Sequence, residues 1–262
     1  MKPDAQAAQA APPAANTTLR TQLTTLSLLH LREHYEPLAA EAARKKIGHV
    51  DYLAELIEGE LHRREQRSLE RRVRDARLPM LKGLDSFDWG WPTKINREQI
   101  QNLFRMAFLA DHINVVLMSN VGLGKTHLML ALAHAACLRA HSVRFTTAVE
   151  IINTLTAAQR VGSFKREMAR YVKPALLAID ELGYLPIDKA GGDALFQVIS
   201  QRYEHGSTLI TTNRVFKKWA EIFNNDSTLT SALLDRLLHH AETVLIDGRS
   251  HRTKDTKDSV EV

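Results

Sequence analysis

The sequence is nearly without cysteine. Cys137 stands alone, which excludes an internal disulfide and any cysteine-built zinc cluster. It falls in an apolar run of helical period, where an inert core residue is expected. Long apolar runs are lacking too: no stretch approaches the roughly 18 apolar residues that a membrane-spanning helix needs. The opening residues hold neither the basic start nor the apolar block of a signal peptide. Rich in Ala, Gln and Pro, segment 1–18 is expected to be a disordered tail. There is no internal repeat. These absences point to a protein of a reducing cytoplasm with no membrane partner.

With 262 residues, 44% of them hydrophobic and 25% charged, the chain can bury one full α/β domain and something smaller. Its formal charge of +5 favours a nucleic-acid partner only modestly, because placement matters more than the sum. Three regions separate. From 19 to 77 apolar residues recur three and four apart, interrupted at Pro37, and Gly48 and Gly59 are the only glycines; an α-helical domain is expected. Residues 78–94, with Pro79, Pro92, Gly83, Gly90 and the aromatics Phe87, Trp89 and Trp91, read as a linker. From 95 to 248 short apolar runs alternate with helical ones. Strands are expected at 114–118, 143–147, 176–179, 208–211 and 243–246, and their nearly continuous apolarity marks parallel strands covered on both faces. Residues 249–262 form a polar tail.

Chemistry enters at Ser119-Asn120-Val121-Gly122-Leu123-Gly124-Lys125-Thr126, where a buried strand passes through a glycine-containing loop into a helix expected to start at Lys125. Such a loop aims backbone N–H groups at one point, where the helix dipole also favours negative charge, so it suits a polyphosphate. Lys125 would reach the β- and γ-phosphates of ATP, the Thr126 hydroxyl would ligate Mg²⁺, and residues 119–127 would form the nucleotide contact. The usual pattern opens with glycine, where this chain has Ser119. Next, Leu176-Leu177-Ala178-Ile179-Asp180-Glu181 delivers an acidic pair at a strand end. Asp180 would hold Mg²⁺ through water and Glu181 would polarise the attacking water. In Leu209-Ile210-Thr211-Thr212-Asn213 a strand ends on an amide that can bond the γ-phosphate or orient the water, or that is plain turn chemistry. In Leu233-Leu234-Asp235-Arg236-Leu237-Leu238 an arginine interrupts an apolar stripe. Spacing leaves it either a snorkelling residue or a finger reaching a neighbouring subunit's site.

Seven arginines lie between His62 and Arg77. At helical spacing Arg63, Arg64, Arg67, Arg71, Arg74 and Arg77 fall on an arc of roughly 140°, with Leu61, Leu69, Val73 and Ala76 opposite. A basic face presented to DNA phosphates and a solvated face of ion pairs both fit this pattern.

With these elements in order, the chain resembles the AAA+ ATPases. More narrowly it resembles the IstB-type helper ATPases of bacterial insertion-sequence transposition, with DnaC-like helicase loaders as cousins. The residues that carry the resemblance are Gly122-Leu123-Gly124-Lys125-Thr126-His127-Leu128, Ile179-Asp180-Glu181-Leu182-Gly183-Tyr184-Leu185-Pro186, Thr211-Thr212-Asn213-Arg214 and Leu233-Leu234-Asp235-Arg236-Leu237-Leu238-His239-His240. Phe87-Asp88-Trp89 and the arginine-rich helix match too. The resemblance implies an α/β fold, a P-loop parallel sheet flanked by helices with a small all-α N-terminal domain. It also implies ATP hydrolysis with Mg²⁺, homo-oligomers that share ATP sites, duplex DNA and a partner transposase as partners, and a nucleoid-associated place in the bacterial cytosol. Under it Arg236 acts in trans, Arg252 serves as a second nucleotide sensor, and phosphate contact by the six arginines is favoured. A helicase loader, or a nucleotide-gated DNA-binding assembly protein with negligible turnover, are the alternatives.

Overall fold

The structure, a computed structural model, describes residues 13–251. Arg252, expected as a sensor, lies outside them. The chain divides into two compact units between Glu70 and Arg71. The division falls inside a helix, within the span 19–77 assigned to the helical domain.

The first unit is built from α1 (Pro13–Thr25), α2 (Leu29–Lys45) and the greater part of α3 (His49–Ala76). Helix α1 begins inside the segment expected to be a tail, where the alanines have high helix propensity. Pro37 sits inside α2 without ending it. Glu33, whose carbonyl the missing N–H leaves unbonded, and Pro37 are both exposed, so water can satisfy that group. Leu23, Leu31 and Leu56 are buried together, with Leu28, Tyr35, Leu38 and Tyr52 against them. Leu28 cannot cap α2 with its side chain. The buried Glu60 of α3 does so instead, accepting from the His30 N–H at 2.7 Å. The helices cross closely there, for a Cβ added at Gly59 would lie 2.0 Å from His30 Nε2.

The second unit holds a six-stranded sheet: β1 (Lys94–Ile95), β2 (Asn114–Ser119), β3 (Val143–Thr147), β4 (Leu176–Leu182), β5 (Ser207–Thr212) and β6 (Ala241–Asp247), in the order β1-β6-β2-β5-β4-β3. All neighbours are parallel except β1 and β6. The five expected strands are present. The short antiparallel β1 was not foreseen, because two residues carry no period. Helices α4 (Arg97–Leu103), α5 (Ala107–Ala110), α6 (Lys125–Leu138), α7 (Ala148–Arg160), α8 (Phe164–Val172), α9 (Lys189–Arg202), α10 (Trp219–Ile222) and α11 (Ser227–Leu238) connect the strands.

Every residue of β2 and β5 is buried, as for strands covered on both faces. Helix α6 packs on β2, β3, β4 and β5, while residues of α7, α9 and α11 share a core with Trp219 and Phe223. Ala76 is fully buried in this unit, and Arg72 Nε donates to the Cys137 carbonyl at 3.0 Å. Cys137 itself is buried, and burial pushes its thiol pKa up, as an inert core residue requires. After β2 the chain crosses two strands to reach β3. A crevice therefore opens at the C-terminal ends of β2, β4 and β5, the topological switch point.

A candidate nucleotide site

The loop after β2 runs over that crevice into α6. Gly122 and Gly124 have φ of +80° and +84°, which side chains rarely adopt. Space agrees with conformation: a Cβ at Gly124 would lie 2.7 Å from the Phe87 ring, and one at Gly122 would lie 2.1 Å from Ser250 Oγ. Lys125 Nζ donates to the Ser119 and Asn120 carbonyls, each at 2.8 Å, and to Ser119 Oγ at 2.9 Å. Its ammonium is folded back onto the loop's own start.

Beside it lies a carboxylate held by hydroxyls. Thr126 Oγ1 lies 3.1 and 3.0 Å from the two oxygens of Asp180, which is 5% exposed, and Thr211 Oγ1 donates to Asp180 as well. The same Thr211 oxygen accepts from the Glu181 N–H at 2.9 Å. Here β4 is irregular: its pairing with β5 slips between Ile179 and Leu182, and Glu181 has φ of +61°. A bulge with a left-handed non-glycine residue re-aims one side chain out of the ladder. Glu181 is accordingly exposed while its neighbours Asp180 and Leu182 are buried.

A cavity of about 430 Å³ joins these parts. Its lining includes residues 121–127, Glu181, Tyr184, Thr211, Thr212 and Asn213. The side-chain oxygen of Asn213 is buried without a hydrogen-bond partner, a group that a ligand at this place would satisfy. Glycines that admit close backbone approach, a threonine beside a buried carboxylate and an orphaned amide oxygen together suit a nucleoside triphosphate with a hard divalent cation.

The opposite wall comes from the segment expected to be a linker. Ser86, Phe87, Asp88, Trp91 and Pro92 line the cavity, joined by His251. Phe87 is buried and meets His127 edge-on at 5.5 Å, and His127 Nε2 lies 3.2 Å from both the Gly83 carbonyl and Ser86 Oγ. Trp91 Nε1 donates to the Arg249 carbonyl at 2.7 Å, and the His251 N–H donates to the Gly122 carbonyl at 2.9 Å. The start of the expected polar tail thus straps the phosphate loop.

Two sets of expected residues lie elsewhere. Arg236 is half-buried on α11, its guanidinium 4.6 Å from the Phe196 ring centroid, and does not line the cavity. The arginines of α3 differ among themselves. In the first unit Arg63 pairs with Glu33 at 2.6 Å and Arg64 with Glu60 at 3.1 Å, while Arg67 is exposed and has no ion pair among the described residues. In the second, Arg74 lies 3.5 Å from Asp75, whereas Arg71 and Arg77 are exposed and have no ion pair among the described residues. On the side expected to be docked, Leu61 is 56% exposed, so that face is only partly covered.

Comparison with known proteins locates this architecture. A sequence profile of the IstB-like ATP binding proteins matches residues 21–259. The ATP-binding protein of insertion sequence IS21 from Pseudomonas aeruginosa is 36% identical over 239 residues, 91% of this chain and 90% of that one. That of IS232 from Bacillus thuringiensis subsp. berliner is 36% identical over 237 residues, 90% and 94% of the two chains. Among solved structures, the DnaC helicase loader superposes with a TM-score of 0.53 at 20% identity, over 63% of this chain and 96% of that one. Replication initiator DnaA bound to AMPPCP and single-stranded DNA gives 0.51 at 19% identity, over 68% and 54%. At these identities the structural likeness is one of fold, that of AAA+ domains.

Proposed function

The chain belongs to the IstB-like ATP-binding proteins of bacterial insertion sequences, and from that membership we propose that it hydrolyses ATP, assembles on duplex DNA and activates a partner transposase. What most supports hydrolysis is the grouping of Thr126, Asp180 and Thr211 with the outward-turned Glu181 at one cavity. In this reading residues 119–127 hold the phosphates and Lys125 swings from Ser119 to the β- and γ-phosphates. Thr126 and Asp180 hold a magnesium ion, whose charge, when bound, offsets that of the phosphate oxygens. Glu181 takes the proton of the attacking water, and Asn213 bonds the γ-phosphate through a group otherwise unpartnered. Arg236, away from its own chain's cavity, serves the site of a neighbouring copy, and Arg252 is a second sensor. Exposed arginines of α3 supply phosphate contacts that position the protein without reading sequence.

The deciding experiment measures phosphate release by the purified chain, with and without duplex DNA, and then transposition with the transposase of the same insertion sequence. Release stimulated by DNA and an ATP-dependent gain in transposition are the expected results. ATP binding without phosphate release in either condition would leave a nucleotide-gated assembly protein.

A further inference from the structure

The connectors that lead into β5 and β6 bring metal-binding side chains together. Among the described residues, Glu204, His239 and His240 form a group whose ligand atoms all lie within 4.8 Å of one another. The geometry points to a site for a zinc-class divalent cation here, with two imidazoles and one carboxylate as protein ligands and a further coordination position open.

The ligands are held by the backbone. The Asn114 N–H donates to the His240 carbonyl at 2.8 Å, which ties His240 to the start of β2, and the His239 N–H donates to the Asp235 carbonyl at 3.1 Å. Glu204 follows α9 in a turn closed by bonds from the His205 and Gly206 N–H groups to the Arg202 carbonyl, at 2.9 and 3.1 Å. Arg202 is itself fixed, 1% exposed and bonded to surrounding carbonyls. These bonds set the backbone positions from which the three side chains, all exposed, converge.

Tyr203 orients one of them. Its hydroxyl lies 2.9 Å from His239 Nδ1. When Nδ1 carries the hydrogen and donates it to the phenol oxygen, Nε2 keeps a lone pair for a metal, the arrangement by which an outer partner fixes a ligand's tautomer. Two imidazole nitrogens select zinc, cobalt, nickel or copper over magnesium, which prefers oxygen, and this separates the site from Asp180. A cation here braces the end of α9 against the end of α11, the pair in which Arg236 rests on Phe196.

The test uses the full, untagged chain, stripped with a chelator and titrated with Co²⁺ alone and then Zn²⁺. One Co²⁺ should bind per chain with a ligand-field spectrum of nitrogen coordination, and Zn²⁺ should displace it. His239→Ala/His240→Ala should weaken uptake by more than about 100-fold, and Tyr203→Phe by about 10- to 100-fold. Lys125→Ala should bind metal as the parent does. No Co²⁺ uptake by the parent, or equal uptake after both histidines are replaced, overturns the assignment. Should the double variant misfold, ring-proton NMR of the parent decides. Zn²⁺ shifting two of the 12 histidines supports the site, and shifting none overturns it.

Discussion

Ser119 holds Lys125 through both its hydroxyl and its carbonyl, at 2.9 and 2.8 Å. The residue that departs from the usual loop pattern thus stabilises the lysine away from the place where phosphates would sit. Ser119→Gly removes the hydroxyl and keeps the carbonyl. One net hydrogen bond is worth about 1 kcal/mol, so ATP should bind up to about fivefold more tightly in a fluorescent-nucleotide titration. An unchanged or weakened affinity means that the hydroxyl does not compete with the nucleotide. Lys125→Ala should abolish binding in the same assay.

Glu181 should matter for cleavage and not for binding. Its carboxylate stands outside the Asp180–Thr126–Thr211 group, turned out by the bulge in β4. Glu181→Gln keeps the shape and loses the base, so ATP affinity should hold while phosphate release falls by about 100-fold or more. Release at the parental rate would remove Glu181 from the role of base.

Much of this site was legible in the sequence, for a physical reason. The loop and Asn213 each follow a buried strand that continuous apolarity locates within a residue, while β4 runs three residues past its apolar run and carries the acidic pair inside its end. What the sequence could not give was long-range. Trp91 meets Arg249 across 158 positions, and no local period announces that a proline- and glycine-containing segment will wall a cavity. The bulge at Glu181 was equally hidden, because a strand's apolar pattern does not say where its ladder slips. Pro37 misled because an exposed carbonyl tolerates a missing partner.

Arg236 tests assembly. Arg236→Ala should leave nucleotide binding intact and abolish hydrolysis, because its guanidinium lies over Phe196 and lines no part of its own cavity. Mixed with Lys125→Ala, it should recover part of the activity, since some interfaces then pair an intact loop with an intact arginine. No recovery at any ratio, with co-assembly demonstrated, assigns Arg236 to structure alone.

Arg202 should govern the stability of the second unit. Its guanidinium is 1% exposed, and burial lowers its pKa to about 10, so it remains charged at neutral pH. Its partners are oxygens of neutral groups: the Tyr171, Val172, Pro174, Ala175 and Ser207 carbonyls and the Thr208 hydroxyl. Arg202→Met strands those carbonyls without donors and should cost about 3–5 kcal/mol in denaturant unfolding. A loss below about 1 kcal/mol would mean that water or a shifted turn replaces the guanidinium.

DNA contact can be separated from intrahelical pairing by comparing arginines on the same helix. Arg63 is engaged by Glu33 and Arg64 by Glu60, whereas Arg67 and Arg71 are exposed and have no ion pair among the described residues. Each phosphate contact contributes roughly 0.9 to the slope of log affinity against log salt on duplex DNA. Arg67→Gln/Arg71→Gln should therefore flatten that slope by about 1.8, equally on unrelated sequences, because phosphate contacts carry no base information. Glutamine is a good helix former, so α3 should persist. Arg63→Gln should change the slope far less, its charge being already partnered. Neither Arg67 nor Arg71 lines the nucleotide cavity, so ATP hydrolysis without DNA should stay near parental and only its stimulation by DNA should fall. An unchanged slope in a folded double variant would make this basic face a solvated surface and move the search for DNA contacts to the ATPase unit.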